Sequence, residues 1–502
     1  MKKKDFKIID SDKGEFKIHS MKYNILMNVI LKISAVIFPL ITFPYISRVL
    51  HADAYGRVMF VCSVVSYYSI IASLGIPSYA VRRCASVRNN KYELSKTVKE
   101  LLIINTVSLV LTYALFILSV LVVPQFAQDK ILFYISSTSI LLQTMGVEWF
   151  YQAIEQYDYI TIRNLIFKVL FLILLFFLVK SKHDILIYTA LNVFGTTGSN
   201  IINIIRLHRY VDLRLVKRVD LKHHLKPVFM LFFYYAATTI YTNLDSVMLG
   251  FISGNTEVGL YNAAIKIKTI LVSIITALGS VSLPRISYYL AQNKLEEFKK
   301  IIKISFQCIV FLSIPLTAYF ILEAYPVLQI LAGDEYISAV DAMQAIMPSI
   351  VFIGLGSVTA WQLLIPMGKD KVTLIAAVAG ALVDLMLNAI FIPKYGATGA
   401  AIGTLVAEIV VFTVQAINLK KIIIETFDFN NSIKVLISAI VALGGDILIN
   451  YVSRNLNPIV VVTLTVFVFG ILYILVCFVL KESFLMVNIL PIIIRKRVRK
   501  HD

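Results

Sequence analysis

The chain has 502 residues, of which 58% are hydrophobic and 16% charged, with a formal net charge of +18. Soluble domains carry about 25% charged residues, so this balance excludes a water-soluble globular fold. Apolar runs such as 169–179 do not alternate, which excludes a β-barrel, whose strands alternate over about 10 residues. An all-α polytopic membrane protein is predicted.

A bilayer core about 30 Å thick needs roughly 20 apolar residues per helical crossing. Fourteen spans are predicted, at 25–46, 58–79, 100–123, 131–152, 160–180, 184–205, 228–250, 258–281, 302–325, 343–366, 372–392, 397–419, 433–452 and 459–480. The residues before the first span are polar and Lys-rich, with no cleavable signal visible. Asn24, Asn28 and Lys32 fall at i, i+4 and i+8, one polar stripe leading into span 1. A Lys at the bilayer centre costs roughly 2.5–3.5 kcal/mol, so Lys32 is predicted to face an interior cavity and an anionic cargo. Pro39 and Pro44 follow, and each removes a backbone donor and can kink the helix.

Glu148, at the inner end of span 4, reads as half of a helix-end ion pair, and Lys168 in span 5 as a snorkelling side chain. In span 6, Asn192, Thr196, Ser199 and Asn203 form a second stripe, read mainly as helix–helix hydrogen bonding. Span 7 carries Thr238, Thr242 and Asp245. Span 8 carries Lys266 and Lys268, which are two apart, so at most one can face a cavity centrally. Asp384 and Asn388 stand one turn apart in span 11, and Thr404 and Glu408 one turn apart in span 12. Asp245, Asp384 and Asn388 offer hard oxygen ligands for a small cation such as Na+. A titrating carboxylate for H+ coupling fits equally, and a buried Asp–Lys pair is the purely structural alternative.

Lys and Arg are segregated: 37 lie in the tails and every second loop, against seven in the opposite loops. This asymmetry predicts cytoplasmic termini at both ends, and it explains the net charge without nucleic acid. Cys62, Cys84, Cys308 and Cys477 are scattered, so no disulfide or zinc framework is expected. His223-His224 lies in a basic loop and reads as a solvated pair rather than a ligand pair. No catalytic constellation and no phosphate-cradling Gly loop is found, so the chain reads as a non-enzyme without its own ATPase or cofactor. Short outer loops also disfavour a membrane-embedded glycan polymerase or ligase.

The predicted organisation is a basic tail (1–24), a six-helix bundle (25–207), a polar linker (208–226), a second six-helix bundle (227–421), two extra helices (432–480) and a basic tail (481–502). The halves echo one another: Ala54-Tyr55-Gly56 precedes span 2, and Val258-Gly259-Leu260-Tyr261 precedes span 8. Parallel repeats of this kind build transporters.

The segment Pro39-Leu40-Ile41-Thr42-Phe43-Pro44-Tyr45-Ile46-Ser47-Arg48-Val49-Leu50, with Tyr55-Gly56 after it, resembles the first-span signature of polysaccharide-repeat-unit flippases. Glu148-Trp149-Phe150-Tyr151-Gln152-Ala153 with Glu155, and Asp245 with Leu249-Gly250 and Val258-Gly259-Leu260-Tyr261-Asn262-Ala263-Ala264, are similar to other segments of that family. The family belongs to the multidrug/oligosaccharidyl-lipid/polysaccharide exporter superfamily. The resemblance implies a V-shaped pair of bundles around a cationic cavity. The implied cargo is an oligosaccharide on undecaprenyl pyrophosphate, moved from inner to outer leaflet of a bacterial plasma membrane by alternating access. It implies pyrophosphate contacts at Lys32, Arg48, Lys266 and Asn28, and headgroup capture at the inner rim by Arg82, Arg83, Arg163 and Arg285. It implies a coupling-ion site at Asp245, Asp384, Asn388 and Thr404, as in related lipid II flippases. Implied partners are the lipid-linked oligosaccharide, membrane lipids, and polysaccharide polymerase and chain-length machinery. A drug/cation antiporter of the same superfamily, or a flippase for lipid II-type or teichoic-acid precursors, are the alternatives.

Overall fold

The computed structural model describes residues 20–453 and 456–491, and among these every regular element is a helix. The Lys-rich and Arg-rich termini and Arg454 lie outside the described residues. Eight helices are long and apolar enough to cross a membrane, or ten if each of two bent pairs is one span. Two of the eight, Tyr23–Val87 (65 residues) and Asp370–Asn418 (49 residues), exceed the roughly 20 residues of one crossing more than twofold. The chain divides into two compact units, residues 1–247 and 248–502.

The first unit begins with α1 (Met21–Ser73), capped by Ser20, whose hydroxyl accepts from the Tyr23 N–H. The expected kinks at Pro39 and Pro44 are not where this helix breaks. The one non-helical residue is His51, with φ 62° and ψ 172°, between the two predicted spans. After α1 come α2 (Ile76–Val87), α3 (Lys91–Val122), α4 (Pro124–Gln128) and α5 (Lys130–Met145). Asn90 caps α3, its side-chain oxygen accepting from the N–H groups of Tyr92 and Glu93 at 3.0 and 3.1 Å. The short α6 (Glu148–Ala153) and α7 (Tyr157–Leu178) follow, then α8 (Ile185–Val193), a π-helical turn (Phe194–Gly198) and α9 (Asn200–Leu207).

A core at the Lys/Arg-rich end joins α2, α3 and α6 through Ile76, Cys84, Leu101, Trp149, Phe150 and Tyr151. The aromatic run of span 4 is therefore packing: Tyr151 donates to the Asn203 carbonyl at 2.9 Å, and Asn203 donates to the Gly146 carbonyl at 2.7 Å. The last helix of this unit is the first part of α10 (Lys222–Ile252). It passes so close to Gly75 that a Cβ there would collide with the Val228 carbonyl and the Phe232 nitrogen.

The predicted linker is folded, not free. Lys99 donates to the carbonyls of Leu213 and Val216 at 3.1 and 2.8 Å, and the Asp212 N–H donates to Ser95 Oγ at 3.2 Å. The expectation that His223-His224 is a solvated pair fails for His224, which is fully buried. Its burial comes from α3 and α2, which the local basic sequence does not reveal.

In the second unit, α11 (Asn255–Ala291) and α12 (Leu295–Leu322) lead to α13 (Ala324–Ala332), α14 (Val340–Ile346), α15 (Ser349–Ser357) and a π-helical stretch (Val358–Leu364). Next, α16 (Asp370–Asn418) breaks at Gly396, φ 50°, where a Cβ would strike the Glu257 carboxylate. Only glycine fits this position without strain. The same carboxylate accepts from the Ala397 N–H at 2.6 Å, so Glu257 of α11 caps the second half of α16.

After α17 (Lys420–Thr426), the trailing helices α18 (Phe429–Val452) and α19 (Pro458–Val479) pack on α12. Tyr473 donates to the Phe311 carbonyl at 2.8 Å, and the hydroxyls of Tyr319 and Thr465 lie 3.0 Å apart. The end of this pair nearest Asn431 is pinned by buried Glu482, which accepts from the Asn431 amide and from the N–H groups of Phe484 and Leu485.

Candidate functional site

The polar stripe of α1 lines a cleft in the first unit. Asn24, Asn28, Arg88, Gln152, Glu155 and Tyr157 border a cavity of about 390 Å³. Arg88 Nη1 donates to Glu155 Oε1 at 2.7 Å, and Asn24 Nδ2 to Glu155 Oε2 at 3.4 Å. Lys32 continues the helix beyond this cleft and is exposed, next to the exposed apolar Ile33. Arg48 is also exposed and donates to the Pro44 carbonyl at 2.7 Å.

Lys168 is not at a helix end. It is residue 12 of the 22 in α7, half-buried, and its Nζ donates to Ser34 Oγ on α1 at 2.9 Å, 5.8 Å from the Phe38 ring centre. The snorkelling expectation fails because Lys168 turns toward α1, where Ser34 and Phe38 receive it. A second intramembrane cation thus packs on α1, on the face of buried Ser34 rather than that of exposed Lys32 two residues away, and sequence reasoning did not assign it. The available signal was its position: a mid-span Lys carries the same cost as Lys32.

Deeper in the same unit lies an uncharged polar cavity of about 340 Å³, bordered by Ser66, Ser69, Ser139, Gln143, Asn192 and Thr196 among others. The hydroxyls of Ser66, Ser69, Ser139 and Thr196 all donate back to carbonyls of their own helices at 2.6–3.0 Å. They therefore present lone pairs to the cavity, while the amides of Gln143 and Asn192 bring donors. The span 6 stripe is split by the π turn at Phe194–Gly198. Asn192 and Thr196 face this cavity, whereas Ser199 and Asn203 beyond the turn bind Asn164 and Gly146. A π turn shifts the helical register, and such turns recur at functional sites.

Of the arginines assigned to the inner rim, Arg82 and Arg285 are exposed. Arg163 is buried, at 4% exposure, and paired with Glu148 at 2.6 Å, the ion pair predicted for that glutamate. Arg206 stacks on Tyr159, its guanidinium 4.2 Å from the ring centre.

In the second unit, Asp384, Asn388 and Thr404 all lie on α16, and the first two approach Gly403, the residue before Thr404, across its fold. All three are buried. Gly403 makes the approach possible: a Cβ there would collide with Asn388 Oδ1 and stand 3.0 Å from Asp384 Oδ1. Thr404 Oγ1 lies 2.8 Å from the Tyr261 hydroxyl, which adds a donor atom that sequence reasoning did not assign. This cluster is all oxygen, a set that suits Na+ rather than a softer ion. Asp245, 6% exposed, lies on the part of α10 that belongs to the first unit. Lys266 and Lys268 are half-buried on either side of the buried Ile267 on α11.

The family model described as "Polysaccharide biosynthesis protein" matches residues 21–290, more than half of the chain. The chain belongs to the polysaccharide biosynthesis protein family. A second model, MatE, matches residues 231–390 of this family member. Among named relatives, a Shigella dysenteriae protein called "Putative O-antigen transporter" is 26% identical over 403 residues, covering 79% of this chain and 100% of the relative. An Escherichia coli (strain K12) protein of the same name is 25% identical, covering 78% and 95%. Among solved structures, lipid II flippase MurJ in an inward closed conformation aligns with a TM-score of 0.68 at 16% identity, covering 91% of this chain and 98% of MurJ. An inward-facing multidrug resistance MATE family transporter aligns with a TM-score of 0.53 at 13% identity, covering 77% and 98%. These structural likenesses establish the all-helical membrane-protein fold of this family member.

Proposed function

We propose that this chain is a flippase for oligosaccharide repeat units carried on undecaprenyl pyrophosphate. It moves them from the inner to the outer leaflet of a bacterial plasma membrane by alternating access, with both termini cytoplasmic, for capsular or exopolysaccharide synthesis. The observation that carries this reading is the match to two O-antigen transporters along 100% and 95% of their own lengths.

The chemistry of the first unit supports it. A pyrophosphate is a dense anion and needs cations held away from bulk water. Lys32 and Lys168 are both carried by membrane helices, where a charge is tolerated only if it meets water or an anion. Arg48 and Asn28 extend the anion contacts, and Arg82 on exposed surface receives the headgroup first; in the second unit Lys266 and Arg285 offer cations of the same kind. A saccharide needs neutral donors and acceptors instead, and the Ser/Thr/Asn/Gln cavity supplies them without charge.

Asp384, Asn388, Thr404 and Tyr261 would hold Na+. The ion would supply a fixed positive charge that neutralises the buried Asp384 and ties the two halves of α16 together. Polymerase and chain-length machinery are the partners that would consume the product.

A strain lacking this protein should lose surface polysaccharide and accumulate the lipid-linked unit. Complementation with Lys32→Ala or Arg48→Ala should restore neither. Normal surface polysaccharide and normal precursor levels in the deletion strain would overturn the reading. The MatE match at 231–390 favours a second reading, a drug/cation antiporter. A rise in drug sensitivity with unchanged polysaccharide would establish that one instead.

A further inference from the structure

At the Lys/Arg-rich end of the first unit, three side chains from two helices converge. Glu100 on α3 and His223 and His224 at the start of α10 bring one ligand atom each to within 4.8 Å of one another. His224 Nε2 lies 2.9 Å from Glu100 Oε2. We propose that Glu100, His223 and His224 form a binding site for a divalent transition-metal ion, with Zn2+ the best match. This assignment is independent of the transport reading.

Imidazole and carboxylate ligands suit Zn2+, and three protein ligands leave a fourth position for water. The stronger argument is what lies behind the three ligands. Metal-binding histidines almost always present their other ring nitrogen to an oxygen that fixes their orientation. His224 Nδ1 meets the Tyr79 hydroxyl of α2 at 2.7 Å. His223 Nδ1 faces Asp220 Oδ2 at 3.5 Å. Glu100 Oε1 accepts from the Asp220 N–H at 2.7 Å, which leaves Oε2 to face His224. His224 and Glu100 thus each have a hydrogen-bonded orienting partner, and His223 has an exposed carboxylate beside it.

The Tyr79 hydroxyl serves both states. Without a metal, His224 donates from Nε2 to Glu100 and Tyr79 donates to Nδ1. With the metal on Nε2, the ring proton sits on Nδ1 and the Tyr79 oxygen accepts it, so the ring stays neutral throughout. Arg83 is the nearby opposing charge, and the Glu100 carboxylate offsets it.

A tetrahedral ion with bonds of about 2.0–2.1 Å sets its ligand atoms roughly 3.3 Å apart. The group must therefore contract slightly. The His223 side chain, 41% exposed, has the freedom to close and leaves the ion a route from solvent. Once bound, the metal would fasten the start of α10 to α3 and hold the linker folded.

The test uses the full-length protein in detergent, stripped with a chelator and dialysed. Titration with ZnCl2 by calorimetry should show one tight equivalent, and CoCl2 should give the visible absorption bands of a low-coordinate Co2+ centre. His223→Ala removes an exposed ring and should weaken binding by at least 10-fold without altering the melting temperature of the metal-free protein. Tyr79→Phe should weaken it by about 10-fold, the scale of orienting partners. His183→Ala, at the exposed turn before α8, should change nothing. No tight equivalent in the unaltered protein, or equal affinity in His223→Ala, would overturn the assignment.

Discussion

Lys168 on α7 donates a hydrogen bond to Ser34 on α1 across 134 residues of sequence, at 2.9 Å. Ser34 passes its own proton to the Leu31 carbonyl at 2.7 Å, so its oxygen is committed to accepting from the lysine. An ammonium has three donors, and Ser34 takes one. Two remain for water or an anion.

Lys168→Ala should therefore cut transport while leaving the fold intact. A charge-assisted hydrogen bond is worth about 1.5–3 kcal/mol, which corresponds to roughly 10- to 100-fold in rate. Lys168→Arg should retain more activity than Lys168→Ala. Surface polysaccharide per cell, normalised to protein in the membrane, is the measurement. Equal export by all three proteins would remove Lys168 from the anion path.

Gly403→Ala places a methyl group against Asn388 and Asp384. Overpacking of this kind costs about 1–3 kcal/mol. The melting temperature should fall. Any rise in melting temperature that NaCl gives over KCl in the unaltered protein should vanish in Gly403→Ala and in Asp384→Asn. A Na+ effect that survives both substitutions would place the ion elsewhere.

Glu257→Ala removes the carboxylate that caps the second half of α16 at Ala397. Losing a helix cap costs about 1 kcal/mol. The variant should melt a few degrees lower, whereas Glu296→Ala, an exposed glutamate on α12, should not shift. A thermal melt monitored by circular dichroism distinguishes them.

Asp184, in the turn before α8, accepts from the N–H groups of Lys180 and Ser181, both at 2.9 Å. Asp184→Ala removes the acceptor of both N–H groups and should destabilise the protein by about 1 kcal/mol, the scale of a lost cap. An unchanged melting temperature would show that the turn does not depend on this carboxylate.

Much of the site was legible from spacing alone. Asn24 and Asn28 do share a face and do line one cleft, because a 3.6-residue period is local information. Asp384 and Asn388 likewise share a buried face. The span 6 stripe was legible only in part, since the π turn at Phe194–Gly198 changes the register between Thr196 and Ser199. The break in α1 at His51 falls between the predicted spans 25–46 and 58–79, and not at Pro39 or Pro44, which only remove backbone donors within the first of them.

The sequence by itself determined the all-helical membrane class, because apolar segments of bilayer length and a one-sided Lys/Arg distribution follow from composition and order alone. It also determined which residues share a helix face. Which faces meet was decided only by tertiary structure. Lys168 finds Ser34, and His224 finds Glu100 across 124 residues, through packing between helices far apart in the chain. Helical periodicity fixes the direction of a side chain, and only the packed neighbour fixes what it meets.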